Sequence, residues 1–118
     1  MFSKLTKGLL AGSVAASALM VAGTASADGM VALLLPENVN PRWEQQDAAA
    51  FLATMAEIAP DVQVEVFNAN NDTAMQQRQA EQALTQGAQV LVVIPIDGES
   101  SAIIADTAAE EGVPTIAY

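Results

Sequence analysis

Gly87-Ala88-Gln89-Val90-Leu91-Val92-Val93-Ile94-Pro95-Ile96-Asp97-Gly98 and, after an alanine-rich stretch, Gly112-Val113-Pro114-Thr115-Ile116-Ala117-Tyr118 decide how this chain folds. Val90 to Ile94 is apolar at every position and stops at Pro95, which has no N–H to give a ladder; a central strand buried on both faces reads this way. Beyond Asp97-Gly98, residues Ser101, Ile104, Ala105 and Ala108 recur at helical spacing, and Gly112 closes the helix at about Glu111. Val113-Pro114 then enters another strand. Strand, helix and strand joined by short connections imply a parallel, right-handed crossover. The sequence stops at Tyr118, where that strand should carry a loop. The expectation is the opening piece of a larger α/β protein.

Upstream the same alternation recurs. Met30-Val31-Ala32-Leu33-Leu34-Leu35 lies between Gly29 and Pro36 and predicts a first strand, buried on both faces. Asn40-Pro41 supplies an N-cap followed by proline at the first helical position. A helix follows, with Ala48, Phe51, Leu52, Met55, Ile58 and Ala59 as its apolar stripe, ending at Pro60-Asp61. Val62-Gln63-Val64-Glu65-Val66-Phe67 alternates at period two, as in an edge or near-edge strand whose polar side chains face a less covered surface. Asn68-Ala69-Asn70-Asn71-Asp72 is a cluster of turn and capping residues that tolerate left-handed backbone. Thr73 to Gln86 predicts a second helix with a weak stripe at Ala80, Ala83 and Leu84, closed by Gly87. The order is βαβαβαβ in an α/β fold, a parallel doubly wound sheet.

The first twenty-seven residues differ in composition. Lys4 and Lys7 precede the apolar stretch Leu9 to Val21, and Ala25-Ser26-Ala27 stands before Asp28. This pattern predicts a cleavable secretory signal over 1–27; an uncleaved anchor is the alternative, and the apolar stretch falls short of the ~20 residues of a membrane span. The domain 28–118 would then hold about ninety residues, near the lower size limit for an independent core. With no cysteine there is neither a lipid-attachment thiol nor a disulfide framework, so the product is expected free of a direct lipid anchor, in a Gram-negative periplasm.

Fourteen acidic residues face four basic ones, and both lysines lie in the signal. Such a field disfavours nucleic acid and anionic lipid. With neither histidine nor cysteine, zinc, haem and iron–sulfur ligation have no ordinary donors, and no calcium loop occurs; neither metal nor cofactor is expected. No Gly-rich dinucleotide loop, P-loop or nucleophile elbow is present, and nucleophilic catalysis would lack its usual base, so no enzyme is expected.

In a parallel doubly wound sheet ligands gather at the carboxyl ends of the strands. Three segments sit there: Pro36 to Trp43, Asn68 to Asp72 and Pro95 to Gly98. The first carries the single tryptophan, Trp43, beside Arg42, one of two cations after the signal. An aromatic ring stacks on the C–H face of a sugar and a guanidinium donates to its hydroxyls, so the pair suits a carbohydrate. Equally, Trp43 can plug the junction of sheet and helix while Arg42 pairs with a nearby carboxylate. Asp97, before a helix, reads first as an N-cap. Asn68, Asn70 and Asn71 read first as turn formers, and Arg78 as part of a solvated face in reach of Glu81.

Asn38-Val39-Asn40-Pro41-Arg42-Trp43, Asn68-Ala69-Asn70-Asn71, Gln86-Gly87-Ala88-Gln89-Val90-Leu91-Val92-Val93-Ile94-Pro95 and Glu111-Gly112-Val113-Pro114-Thr115-Ile116-Ala117-Tyr118 resemble the type 1 periplasmic sugar-binding proteins of ABC transporters. Arg42-Trp43 looks like the D-xylose-binding branch. The resemblance covers the whole of 28–118 and implies the N-terminal part of the first lobe of a two-lobed protein, a monomer when complete. It implies capture of a monosaccharide, xylose-like, and delivery to an inner-membrane ABC permease; the alternative is a sensory sugar, nucleoside or quorum-signal binder feeding a chemoreceptor or kinase. By the same resemblance Arg42 would bond sugar hydroxyls and Trp43 would wall the pyranose, with Asn40 and Asp97 as further contacts. An Asp-Arg pair commonly follows the Ile-Ala-Tyr strand in such proteins, and the given sequence ends before it.

Overall fold

A computed structural model describes residues 29–118 of the chain. The expected signal over 1–27, with its cleavage bond before Asp28, lies outside the described residues. Four strands, β1 (Met30–Leu35), β2 (Gln63–Asn68), β3 (Val90–Val93) and β4 (Thr115–Ala117), form one parallel sheet in the order β2-β1-β3-β4. The α/β reading holds, with both uniformly apolar strands in the centre and the alternating strand at one edge of the described sheet. β3 stops at Val93, one residue short of the expected end, although the Ile94 N–H still donates to Leu34 O at 3.0 Å.

The connections are α1 (Ala49–Ile58), α2 (Thr73–Thr85) and α3 (Gly98–Glu110). Side chains alternate across the pleat, so each strand feeds two cores. Ala32, Leu34, Leu91 and Val93 pack with Ala80, Ala83 and Leu84 of α2 and Ile104 and Ala108 of α3. Leu33, Leu35, Val92 and Ile94 pack on the other face with Ala48, Trp43 and Phe51.

Asp72 and Asp97, both extended, cap α2 and α3 by accepting from Met75 N and Ser100 N at 3.0 and 2.8 Å. This satisfies N–H groups that a helix start leaves unpaired. The two helices also end alike. Gly87 N donates to Leu84 O and Ala88 N to Ala83 O, while Gly112 N donates to Ala109 O and Val113 N to Ala108 O. Both are Schellman closures, and Gly87 (φ 96°) and Gly112 (φ 73°) supply the left-handed residue they require.

Three expectations need correction. The first helix does not start as an α-helix at Pro41: Trp43–Ala48 is a π-helix that runs into α1. Its apolar stripe is covered only in part, for Leu52 is 42% and Ile58 71% exposed, whereas Phe51, Met55 and Ala59 are half-buried. A single helix is narrower than the sheet face it lies on. In α3 the inward serine is Ser100 rather than Ser101, in line with Ile104 and Ala108 at intervals of four; its hydroxyl donates to Asp97 O, which permits its burial. On β2, register places Val64 and Val66 beside Val31 and Leu33 on the α1 face, and Glu65 and Phe67 beside Ala32 and Leu34 on the other. The valines, not the polar residues, therefore take the thinly covered side: Val66 is 36% exposed and Glu65 is half-buried.

Candidate functional site

From β1 the chain moves outward to β2, then crosses back past β1 to β3. The loops after β1 and β3 thus diverge to opposite faces, which is the switch point where open parallel sheets bind ligands. The residues between Pro36 and Arg42, the turn after Asn68 and the segment Pro95 to Asp97 all lie on that edge.

Glu37 organises the first of these loops. Its Oε2 accepts from the N–H of Val39 and from that of Asn40 (2.9 Å), and its Oε1 accepts from Trp43 Nε1 at 2.6 Å. These donors, led by the Asn40 N–H, hold the carboxyl below its ordinary range against the opposing effect of burial. Asn40 Oδ1 accepts from Arg42 N at 3.0 Å, a local turn bond; the N-cap position falls at Arg42, without a side-chain cap, rather than at Asn40 as expected.

The π-helical turn then brings Asp47 beside Arg42. In an α-helix neighbours on a face are three or four apart, whereas a π-turn brings together residues five apart. Arg42 Nε donates to Asp47 Oδ2 at 3.1 Å, and the guanidinium carbon lies 5.0 Å from the centre of the Trp43 ring. That separation is within cation–π range. Trp43 is half-buried against the Leu33 and Leu35 cluster. The plugging and pairing roles weighed for these two residues are both present, and the hydrogen bonds Arg42 makes among the described residues employ Nε alone as its side-chain donor. Asp47 also faces the Tyr118 hydroxyl, which burial and then the Asp47 charge push above the usual phenol range.

The turn after β2 is stitched to this loop. Asn68 Nδ2 donates to Glu37 O (3.1 Å) and Glu44 Oε1 (3.0 Å), and Asn71 N donates to Pro36 O (2.7 Å). Asn68 Oδ1 accepts from Asn70 N at 2.9 Å, and Asn70 and Asn71 take φ of 51° and 62°. Asparagine bears such a backbone better than most residues because its short amide bonds locally.

After β3, the fully buried Gln76 of α2 reaches across to the backbone. Its Nε2 donates to Ile94 O at 2.9 Å and its Oε1 accepts from Ile96 N at 3.4 Å. Asp97 caps α3, and the Ser100 N–H holds its carboxyl below the ordinary range.

Two concavities flank this edge. A shelf of about 480 Å³ is lined by Glu37, Val39, Asn40 and Asn71. A second, of about 170 Å³, lies between the N-terminal ends of α2 and α3, lined by Thr73, Gln77, Asp97, Glu99, Ser100 and Ile103. Asn40 and Asp97 therefore line separate hollows, and Arg42 and Trp43 adjoin Asn40 in sequence while lining neither. Among the described residues no group of three His, Cys, Asp or Glu could hold a metal ion, and no helix is long and apolar enough to cross a membrane. Arg78 stands exposed on α2; the ion pair found among the described residues is Arg42–Asp47 rather than one with Glu81.

Sequence reasoning missed Glu37, Asp47 and Gln76. A carboxylate two and three residues before the amides it accepts is a turn signal available at Glu37. Asp47 offered none, because its spacing from Arg42 is not an α-helical one.

No curated protein matches the chain. Among solved structures it is similar to an ABC transporter solute-binding protein from Clostridium phytofermentans with bound β-D-glucose (27% identity, TM-score 0.68, covering 75% of this chain and 26% of that one). It is similar also to a carbohydrate transporter solute-binding protein from Chloroflexus aurantiacus in complex with D-glucose (31% identity, TM-score 0.67, 75% and 25%). A solute-binding protein from Bacillus halodurans with bound myo-inositol shares the fold at 23% identity (TM-score 0.65, 78% and 31%). The chain spans about a quarter of the length of the first two. Residues 31–118 match the family described as periplasmic binding protein domain, and with its parallel β2-β1-β3-β4 sheet the chain belongs to that family.

Proposed function

We propose that residues 28–118 are the N-terminal part of the first lobe of a periplasmic solute-binding protein, not an enzyme, that captures a monosaccharide and hands it to an ABC-type importer in the inner membrane. Residues 1–27 are its export signal, removed before Asp28. The sugar is D-xylose. Arg42 and Trp43 supply the contacts, Asn40 offers its remaining amide, and Asp97 reaches the sugar from the loop after β3.

The observation that carries this reading is the Arg42 guanidinium held 5.0 Å from the Trp43 ring centre at the switch point of the sheet. A ring to stack on a sugar face and a planar donor for its hydroxyls stand together there. The glucose-bound proteins from Clostridium and Chloroflexus support the sugar class. Both are transporter solute-binding proteins, which favours delivery to an importer over a sensory role.

One lobe alone offers an open shelf, and tight binding requires closure by a second. The test therefore uses the complete protein. D-Xylose should raise its melting temperature by binding the native state, with D-glucose giving a smaller rise. Arg42→Ala and Trp43→Ala should each reduce the xylose effect. A larger rise with glucose replaces xylose by a hexose; unchanged affinity in both variants returns Arg42 and Trp43 to packing roles.

A further inference from the structure

Trp43 carries the aromatic wall of the proposed sugar site; its ring is half-buried against the Leu33 and Leu35 cluster and has the Arg42 guanidinium 5.0 Å from its centre, and neither contact engages the indole N–H. Its one polar atom is bound by Glu37, from the opposite side of the loop. We propose that Glu37 is the positioning residue of this site: a single carboxylate that sets the β1 loop and the Trp43 ring together, so that the ring is oriented before the sugar arrives. The inference rests on the sugar-binding reading above.

Three observations carry it. The Glu37 carboxylate takes donors from both the loop backbone (Val39 and Asn40 N–H) and the indole, so loop and ring cannot move independently while it is charged. Its own backbone carbonyl is held by Asn68 Nδ2, which anchors the residue to the end of β2. Glu37 also lines the larger shelf beside Val39, Asn40 and Asn71. Charged acceptors make shorter and stronger hydrogen bonds than neutral ones. A neutral amide at this position could accept from the indole only by giving up part of the bonding to the loop, because its nitrogen is no acceptor.

The charge should matter as well as the shape. Glu44, reached through Asn68, Asp47 on the π-helical turn and Arg42 just before it are the other charged groups nearby. The lowered titration of Glu37 keeps it charged at neutral pH, and its hold on the indole is lost as pH falls through that lowered range.

The experiment follows the Trp43 indole N–H by nitrogen–proton correlation in the complete protein without sugar, with the resonance identified by its loss in Trp43→Phe. In Glu37→Gln the resonance should move upfield, toward the position of a weaker hydrogen bond, and D-xylose affinity should fall about tenfold. Glu37→Asp, which keeps the charge on a shorter arm, should recover part of both. Acid should move the wild-type resonance in the same direction while leaving Glu37→Gln flat, which separates Glu37 from Glu44 and Asp47. An indole resonance unmoved in Glu37→Gln overturns the proposal. So does a moved resonance with undiminished affinity where Trp43→Ala loses affinity, and that outcome leaves the sugar reading intact. A wild-type protein that binds no monosaccharide overturns the sugar reading first and the positioning role with it.

Discussion

The two faces of the sheet are built to different standards. On one, α2 and α3 pack on the strands and on each other, each begun by an aspartate cap and ended by a Schellman glycine, and the intervening core is buried. On the other, among the described residues, a π-helical turn and α1 lie alone. The transverse row Val66, Leu33, Val92 and Ile116 crosses that face through all four strands. Its middle pair is buried, while Val66 and Ile116 at the ends are 36% and 55% exposed. The proposed sugar contacts Arg42 and Trp43 belong to this lighter face. Folding stability is distributed unevenly in proteins, and segments that must move to bind are drawn from the less stable part. The heavier face supplies a platform, and the lighter face carries two of the proposed contacts, Arg42 and Trp43, while Asp97 stands at the start of α3 on the other.

The sharpest way to break this contrast is core truncation. Leu34→Ala, on the α2–α3 side, should cost about 2–5 kcal/mol in chemical denaturation, whereas Leu52→Ala on α1 should cost less than about 1 kcal/mol. Equal costs would mean that the two faces are equally consolidated. Next in size is Gln76→Leu, which leaves Ile94 O and Ile96 N without their side-chain partner and should destabilise by about 1–3 kcal/mol despite the gain in apolarity. Gly112→Ala places a side chain at φ 73° and should lose about 1 kcal/mol, while Gly98→Ala, with open space around its Cβ at the helix start, should be neutral or slightly stabilising. A loss at both glycines would show that the helix end is not the special position.

The smallest effect expected is that of pH. Glu37 and Asp97 both titrate below their ordinary ranges in the folded chain. Their contribution is therefore complete above the unfolded carboxylate range, about 4, and disappears as pH falls through the lowered folded values. Denaturation midpoints between neutral and acid pH should show this decline, and Glu37→Gln with Asp97→Asn should flatten it. A double variant with the wild-type slope would assign acid sensitivity to other carboxylates.

Much of the framework was legible because it depends on one residue at a time. The unbroken apolar runs of β1 and β3 announced central strands, Asp97 announced a cap, and Gly87 and Gly112 announced helix ends. The asparagines after β2 announced left-handed turns. The rest depends on pairs. A π-turn changes which residues meet, so the Arg42–Asp47 contact has no α-helical spacing to betray it. Gln76 is absent from the stripe of Ala80, Ala83 and Leu84 that the sequence predicts; its burial makes sense only beside Ile94 O and Ile96 N, far along the chain. Leu52 and Ile58 carried a sound amphipathic pattern, but the pattern could not say how wide the sheet would be.

Gln76 has one more implication. Pro95 interrupts the backbone between the two atoms it binds, so this one amide side chain acts as a splint across a place where the ladder cannot continue. The shape of the loop after β3 is thereby held from α2 as well as by the loop's own Pro95 and Asp97. Variation at Ile96, whose backbone rather than side chain is gripped, should consequently be tolerated so long as Gln76 remains. A saturation library at positions 76 and 96 would measure that asymmetry, and equal intolerance at both would remove the splint from the account.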